Sequence, residues 1–381
     1  MSEFINRPLS RRGFLGGATV AAGLGLTACG GGQQKAAEAP SGKEGGGTIT
    51  AGTAYSTQNY DPSTTSSALA LGVNWQVVEG LYGLNFHDYS TFNELATADP
   101  KKVDDNTFEI TIRDGAKFSD GNEVKADDVV ESFNRSAAKG SVYVPMLSPI
   151  ASVEKKDDKT VTVKTTIANF SLLKERLSIV RVVPASSSQD EMKKQPVGSG
   201  PWQFESISDN TLDLVPNKNY NGATPAKDEK LHYDVLKDPT ARLTAQQDGT
   251  TLAMEMVPAD AVDQLKGAGC TVDAVQGFGV RFAMFNLGKA PWDNVKVRQA
   301  CLYALDTDKM LANAFSGQAE VATSYLPSSF ANYHKASTVY AHDVDKAKKL
   351  ISESGITPGD VVLRTTDNEQ VKSMATQVKN D

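Results

Sequence analysis

Histidine and cysteine are scarce in this sequence, which has four histidines and three cysteines among 381 residues. The histidines stand far apart in the chain, at His87, His232, His334 and His342. No His-Glu-x-x-His, Cys-x-x-Cys, Gly-x-Ser-x-Gly or P-loop spacing occurs, nor a Gly-x-Gly-x-x-Gly after a strand. We therefore expect no metal site, no cofactor and no enzyme, although a pair of carboxylates brought together by the fold stays open.

A long apolar run is also missing, because the small apolar stretch 16–28 is short and glycine-rich, whereas a spanning helix needs about 20 apolar residues. This stretch follows the pair Arg11-Arg12 and ends at Cys29. It resembles a twin-arginine lipoprotein signal peptide, residues 1–28, with Cys29 as the lipidated residue. The alternative is an ordinary cleaved signal with an incidental cysteine. Residues 29–47 are then a flexible tether, and we expect export and anchoring to the outer face of the bacterial cytoplasmic membrane.

Positive charge is in deficit, with 39 lysines and arginines against 46 acidic residues and a formal net charge of −7. This balance argues against nucleic acid and against electrostatic docking on anionic lipid. Export would permit a disulfide between Cys270 and Cys301. The apolar helical pattern around Cys301 favours a buried free thiol instead.

From residue 48 the patterns are those of an α/β protein. The segment 107–113 (TFEITIR) alternates strictly and predicts a half-buried strand, and 126–140 predicts a helix whose acidic start suits its dipole. An Asp-Asp-x-Thr turn leads into an alternating strand twice, at 104–112 and 157–165, which suggests one β-rich module. Further strands are predicted at 202–207, 211–216 and 361–366, and helices at 294–306, 306–317, 343–355 and 368–381.

Five segments, in order along the chain, resemble the family 5 extracellular solute-binding proteins, the oligopeptide-, dipeptide- and nickel-binding lipoproteins of ABC importers. They are NYDPSTTSSALALGVNWQVVEGLYGLN (59–85), FEITIRDGAKFSDGNEVKADDVVESFNR (108–135), PVGSGPWQFESISDNTLDLVPNKNYNG (196–222), FAMFNLGKAPWDNVKVRQACLYALDTDKM (282–310) and DVDKAKKLISESG (343–355). Lys125 departs from the pattern, because the family usually places a Thr or Ser helix cap there.

The resemblance implies a two-lobed α/β clamp of the type II periplasmic-binding-protein class. Lobe I would comprise 48–79 and 184–276, a β-rich subdomain inserted in it would comprise 80–183, and a partial lobe II would comprise 277–381. Members of the family continue well beyond the position of Asp381, so the resemblance predicts a C-terminally truncated second lobe. Closure of the lobes about a hinge would bury the ligand.

The same resemblance implies a ligand-binding set, which is Ser66, Ser67, Ala68, Tyr143, Gly200, Trp202 and Arg281. Ser66 to Ala68 would bond a peptide through their backbone, Tyr143 would face the cleft, and Gly200 and Trp202 would lie at its floor. Arg281, which alternates with Val280 and Phe282 as on a strand, would pair with a ligand carboxylate. The interpretation is a monomeric carrier that delivers peptides or a similar small solute to an ABC permease. A nickel or chelate carrier, a non-binding remnant and a secreted hydrolase are the alternatives.

Overall fold

The computed structural model describes residues 46–86, 88–316, 318–330, 332–357, 359–366 and 369–381. The strands are β1 (Thr48–Thr53), β2 (Tyr82–Leu84), β3 (Thr91–Asn93), β4 (Lys101–Lys102), β5 (Thr107–Thr111), β6 (Ile150–Lys155), β7 (Thr160–Thr165), β8 (Trp202–Ile207), β9 (Thr211–Pro216), β10 (Lys230–Val235) and β11 (Ala253–Met254). The helices are α1 (Ala68–Val77), α2 (Ala126–Ser136), α3 (Val144–Leu147), α4 (Leu173–Leu177), α5 (Gln189–Lys194), α6 (Pro239–Gln247), α7 (Val262–Gly267), α8 (Val295–Ala304), α9 (Thr307–Phe315), α10 (Val344–Ser354) and α11 (Glu369–Asn380). The predicted signal peptide, Cys29 and most of the tether lie outside these ranges, as do His87 and Gly317.

A four-stranded antiparallel sheet contains the two similar turn and strand segments. Its order is β4-β5-β7-β6, and β5 pairs directly with β7. The two turns have the same geometry: the Asp104 carboxylate accepts the Asn106 N–H at 2.8 Å, and Asp157 accepts the Lys159 N–H at 2.9 Å. Such Asx turns fix where each strand begins. The two predicted strands therefore belong to one sheet, as expected of a single β-rich module.

Helix α2 packs on this sheet and begins without help from the side chain of Lys125. Asp128 replaces that cap: its two carboxylate oxygens accept the Lys125 and Ala185 N–H groups, each at 2.8 Å. Asp127 points outward and pairs with Lys155. The two acids are helix-start residues, as predicted, and one of them also fixes the chain near Ala185.

A mixed five-stranded sheet has the order β11-β1-β10-β9-β8. Strand β1 is parallel to both β10 and β11, whereas β8, β9 and β10 are antiparallel neighbours. The β8–β9 hairpin is the one predicted from 202–207 and 211–216. Helix α1 packs on β8, which places the sequence that precedes α1 at the edge of this layer.

Two apolar cores are formed, and the chain crosses between them twice. One lies under the four-stranded sheet and includes Leu81, Ile110 and Val182, while the other lies under the five-stranded sheet and includes Val78 and Val183. The crossings are thus at 78–81 and at 182–183. A two-stranded sheet of β2 and β3 follows the first crossing.

Buried charges lie at these crossings, and the group of Glu79, Glu94, Arg113 and Arg181 is called the junction network below. The Arg113 guanidinium donates to both oxygens of Glu79 at 2.9 and 2.8 Å. Arg181 donates to Glu94 at 2.8 Å, and Glu94 also accepts the Gly80 N–H. Burial raises the pKa of Glu79, and the Arg113 hydrogen bonds oppose that effect. The Arg113–Glu79 pair joins the two cores, since Glu79 follows Val78 of one core and Arg113 follows Ile112 of the other.

Residues 268–381 fold differently, because no strand occurs in the described part of this region. Helices α8 and α10 pack together, and Asp306 and Asp343 cap α9 and α10 by accepting N–H groups at 3.0 and 2.9 Å. These helix predictions are confirmed. The predicted strand at 361–366 is wrong: the segment has no ladder partner among the described residues and its side chains are exposed. Cys270 and Cys301 are free thiols, and Cys301 is half-buried, which raises its pKa.

Within the described residues, every helix is too short or too polar to cross a membrane.

Candidate functional site

A small cavity of about 60 Å³ lies beside α1, and we call it the α1 cavity. Its lining residues are Pro62, Leu71, Asn74, Trp75, Tyr143, Ile179 and Arg181. Leu71, Asn74 and Trp75 follow the i, i+3, i+4 spacing that places side chains on one face of a helix. The other walls come from the segment before α1, from the start of α3 and from the chain after α4.

Asn74 is 2% exposed and presents one free polar atom. Its amide nitrogen donates to the Tyr60 carbonyl at 2.9 Å, which fixes the orientation of the amide. Its carbonyl oxygen Oδ1 is buried and has no hydrogen-bond partner among the described residues. A buried acceptor without a partner costs about 1 to 3 kcal/mol, so this atom is suited to receive a donor from a bound group.

Arg181 is held from several sides, and one of its three nitrogen atoms has no hydrogen-bond partner among the described residues. Its guanidinium lies over the Trp75 ring, with Cζ 3.2 Å from the ring centroid. Besides Glu94, it donates to the backbone carbonyls of Val78 and Ser178 at 3.2 and 3.0 Å. Nε is buried and lacks a partner among the described residues. Burial lowers the pKa of Arg181, and Glu94 opposes that effect.

Tyr143 connects this cavity with the predicted backbone-binding segment. The Tyr143 hydroxyl donates to the carbonyl of Thr65 at 3.0 Å, immediately before Ser66. Burial raises the pKa of Tyr143, so its hydroxyl stays protonated and can keep donating. Ser66 and Ala68 are exposed, and Ser67 is the residue that precedes α1. The structure therefore brings four of the predicted site residues together.

Gly200 and Trp202 lie elsewhere, against the far end of α1. The Gly200 N–H donates to the Val77 carbonyl at 2.9 Å. A Cβ atom at Gly200 would lie 2.5 Å from the Gln76 carbonyl oxygen, so the position requires glycine. Trp202 is 8% exposed and belongs to the core of the five-stranded sheet. Neither residue lines the α1 cavity.

Arg281 is separate from both groups. It is exposed and lies in a segment without regular secondary structure, so the expected strand around Val280 and Phe282 is absent there. Its side chain makes no hydrogen bond or ion pair with the described residues. Phe282 and Met284 are also exposed, at 72% and 83%. Arg281 therefore has no hydrogen bond to any of the other predicted site residues in this structure.

Sequence reasoning missed three residues of the cavity, Asn74, Trp75 and Arg181. Two signals were present. Asn74 is a polar residue on the otherwise apolar inner face of α1, and Arg181 is one charge inside the apolar run IVRVV. A polar or charged residue in such a place needs a buried partner. The partner itself, Glu94, is too distant in sequence to be recognised.

A larger cavity of about 240 Å³ lies between α9 and α11. Its lining residues are Met310, Asn313, Ala314, Ser373, Thr376, Gln377 and Asn380. It contains amides and hydroxyls but no charged group. Of these two cavities, the α1 cavity includes a predicted site residue, Tyr143. Among the described residues, no cluster of three or more His, Cys, Asp or Glu side chains is arranged to hold a metal ion.

Comparison with known proteins identifies a family. The profile described as "Bacterial extracellular solute-binding proteins, family 5 Middle" matches residues 92–381. Heme-binding protein A of Haemophilus influenzae is 31% identical over 309 residues, covering 72% of this chain and 56% of that protein. Glutathione-binding protein GsiB of Pectobacterium atrosepticum is 28% identical over 311 residues, covering 79% and 60%. The chain thus spans about half the length of these curated relatives.

Solved structures share the fold. The oligopeptide-binding protein AppA from Bacillus subtilis, in complex with a nonapeptide, has a TM-score of 0.74 at 22% identity, covering 88% of this chain and 72% of that one. The periplasmic binding protein DppA from Helicobacter pylori, in complex with the peptide STSA, has a TM-score of 0.72 at 20% identity, covering 82% and 67%. The predicted α/β fold of the type II periplasmic binding proteins is therefore confirmed.

Proposed function

Because this chain belongs to the bacterial extracellular solute-binding proteins of family 5, we propose that it is the substrate-binding component of an ABC importer. It would capture peptides or a similar small solute and deliver them to a permease in the membrane. The family match over residues 92–381 is the observation that carries this proposal. Delivery of this kind needs no bond chemistry, only a difference in affinity between open and closed states.

In this proposal the lobes are those predicted from the sequence. Lobe I comprises 48–79 and 184–276, with 80–183 inserted as the β-rich subdomain, and lobe II begins at 277. The crossings of the chain between the two cores, at 78–81 and 182–183, support the limits of the insertion. Closure of the lobes would remove water from the ligand. Each polar contact to the ligand would then be stronger, because the surroundings have a lower dielectric constant.

The proposed binding groups start at the α1 cavity. Ser66, Ser67 and Ala68 would offer backbone groups to an extended peptide, with Tyr143 as an aromatic wall. Gly200 and Trp202 would not touch the ligand in the α1 cavity but would hold the C-terminal end of α1 in position. Arg281 would reach the ligand from lobe II as the partner of a carboxylate, and its exposed, unpaired state here is consistent with that role.

Location completes the proposal. We infer that residues 1–28 direct export, that Cys29 bears the lipid, and that the protein acts as a monomer on the outer face of the cytoplasmic membrane. Several acyl chains on one cysteine hold a protein stably, whereas a single chain does not.

Native mass spectrometry of the full chain, produced in a bacterial host and purified without refolding, tests the function. We expect dissociable adducts with a spread of peptide masses, lost on unfolding and regained with a synthetic peptide pool. Trp75→Leu should weaken the adducts, whereas Trp292→Leu, the same change away from the α1 cavity, should keep them. Absence of adducts from both the purified and the reloaded protein would contradict the proposal, as would sustained cleavage of the peptides.

A further inference from the structure

We propose that the α1 cavity is a subsite for one uncharged amide group of the ligand. This inference rests on the proposed function and adds the chemistry that this part of the site selects. The amide would be either a backbone peptide unit or the side chain of an asparagine or glutamine. Three observations lead to it: the size of the cavity, its free polar atoms and the charge around it.

Size limits the occupant to one small group. A cavity of about 60 Å³ is several times the roughly 10–15 Å³ that one water molecule requires on the same measure. It is far below the 300–1,000 Å³ of a site for a whole drug-sized ligand. A peptide would therefore pass the cavity and insert one group into it.

The free atoms specify a group that both donates and accepts. Asn74 contributes an acceptor, because its amide nitrogen is already engaged by the Tyr60 carbonyl. Arg181 contributes a donor, the unpartnered Nε–H. An amide supplies the complements of both, an N–H and a carbonyl oxygen. A carboxylate supplies acceptors alone, and an ammonium supplies donors alone.

Charge near the cavity argues against an anion. The junction network is balanced, since Arg113 and Arg181 face Glu79 and Glu94. Asp61, fully buried next to the lining residue Pro62, adds one more carboxylate, and one of its oxygens has no partner among the described residues. A ligand carboxylate would have to compete with Glu94 for Arg181 in the field of this third acid. Burying an unpaired charge costs far more than burying a paired amide.

A cation is disfavoured by different atoms. The guanidinium of Arg181 is stacked on Trp75 and cannot turn away from the cavity without losing that contact. The positive charge of this lining residue would repel an ammonium placed there. The apolar walls, Leu71 and Ile179, favour a flat uncharged group in the same way.

The test uses three small probes on the full chain: acetamide, N-methylacetamide and acetate. Binding is followed by NMR through the indole N–H signal of Trp75, one of three tryptophans and assigned by its loss in Trp75→Phe. Ligands of four or five heavy atoms have a ceiling of about −1.5 kcal/mol per atom, so dissociation constants near 1 mM, or about −4.1 kcal/mol, are expected. Acetate should bind at least about tenfold more weakly than the better amide.

The two amides distinguish the source of the group. Tighter binding of N-methylacetamide would indicate a backbone peptide unit, and tighter binding of acetamide would indicate a side-chain amide. Equal or tighter binding of acetate would overturn the proposal in favour of an anion subsite. A Trp75 signal unmoved by all three probes would overturn it in favour of a cavity that holds only water.

Variants separate recognition from folding. Asn74→Leu should abolish the response to the amides, while Asn106→Leu should not change it. Asn106 is a matched control because its amide also donates to a backbone carbonyl at 2.9 Å, that of Thr165, far from the cavity. The proposed function is measured independently by the peptide adducts. Peptide adducts without an amide response would refute only this subsite, and absence of the adducts would refute the carrier function.

Discussion

Residues 46–267 and residues 268–381 bury their apolar side chains to very different extents. The first region contains all three sheets and both apolar cores that the structure describes. The buried apolar residues described in the second region are Val297, Ala300, Met310 and Ala347. Large apolar side chains in that region are instead exposed, with Met284 at 83% and Val362 at 81%. Tertiary packing therefore stabilises the first region far more than the second.

The difference teaches what an alternating pattern needs in order to become a strand. Segment 107–113 becomes β5 because β4 and β7 supply its backbone partners. Segment 361–366, also predicted as a strand, has no such partner among the described residues and remains without a ladder. Helices hydrogen-bond within themselves, so α8 to α11 form in the same region. Strand formation is thus a property of the pair and not of the segment.

The largest expected effect concerns buried against exposed ion pairs. Arg113→Met should lower the free energy of unfolding by about 3 to 5 kcal/mol, because it leaves Glu79 buried without its partner. Lys296→Met, which breaks the half-exposed pair between α8 and α10, should cost about 0 to 1 kcal/mol. Urea unfolding followed by circular dichroism measures both. Similar losses for the two variants would contradict the contrast between the regions.

Cavity formation gives the next effect. Ile110, in β5, is 1% exposed, so Ile110→Ala should cost about 2 to 5 kcal/mol. Val362→Ala, at an exposed position, should change stability by less than about 0.5 kcal/mol. The same urea titration serves for the pair. A large loss at Val362 would show that residues 361–366 pack in solution against a surface that the structure leaves free.

Helix caps should contribute equally to stability in the two regions, because a cap acts within its own turn. Asp238 caps α6 in the first region and Asp343 caps α10 in the second, each by accepting an N–H at 2.8 or 2.9 Å. Asp238→Ala and Asp343→Ala should each cost about 1 kcal/mol of local helix stability. Amide hydrogen exchange in the first turn of each helix reports this cost. If the two variants lost protection from exchange to extents that differ several-fold, tertiary contacts would have to stabilise one of the two caps.

The smallest expected effect on stability comes from a cluster of charged side chains on the paired strands β9 and β10. His232 on β10 lies between Asp213, its partner on β9, and Asp234, at 2.7 and 3.2 Å. Partial burial lowers the pKa of His232, but the two carboxylates outweigh it and raise the pKa above its usual value. Lys230 also faces Asp213.

Because the folded state holds the proton of His232 more tightly, the stabilisation is complete below about pH 6.5 and is lost as the pH rises through the raised pKa. We expect the urea midpoint to fall over that window in the parent protein and to be flatter in His232→Gln. His342→Gln is the matched control, since His342 has no carboxylate within hydrogen-bond distance among the described residues, and it should retain the parent profile. An unchanged profile in His232→Gln would exclude this contribution.

Sequence patterns predicted the elements of the first region well, because local rules and tertiary partners agree there. The Asp-Asp-x-Thr turns, the β8–β9 hairpin and the acidic start of α2 all formed as expected. The cap is the exception: Lys125 is not a capping residue, and the Asp128 carboxylate stabilises the start of α2 by accepting the Lys125 N–H. The strand predicted at 361–366 does not form for the opposite reason: the segment has the local strand pattern but no neighbouring strand to pair with among the described residues.

The candidate site was harder to predict than the fold. Tyr143 and the segment 66–68 are joined through the Thr65 carbonyl, a contact between residues 78 positions apart. Asn74, Trp75 and Arg181 were missed because their roles depend on where Tyr60, Glu94 and the α1 face meet. The spacing of residues along the chain does not indicate which of them form tertiary contacts. The predicted roles of Gly200, Trp202 and Arg281 remain predictions.

Arg181 has a consequence for anyone who wishes to redesign what this protein recognises. The same guanidinium bonds Glu94 where the chain passes between the cores and forms part of the wall beside Trp75. A substitution there would remove the buried ion pair with Glu94 and the stacking on Trp75 at once, so any change in the cavity would be accompanied by a loss of stability. Leu71 and Ile179 line the cavity without belonging to the junction network. Both pack against the core of the four-stranded sheet, so substitutions that conserve their volume would reshape the cavity without leaving a buried charge unpaired.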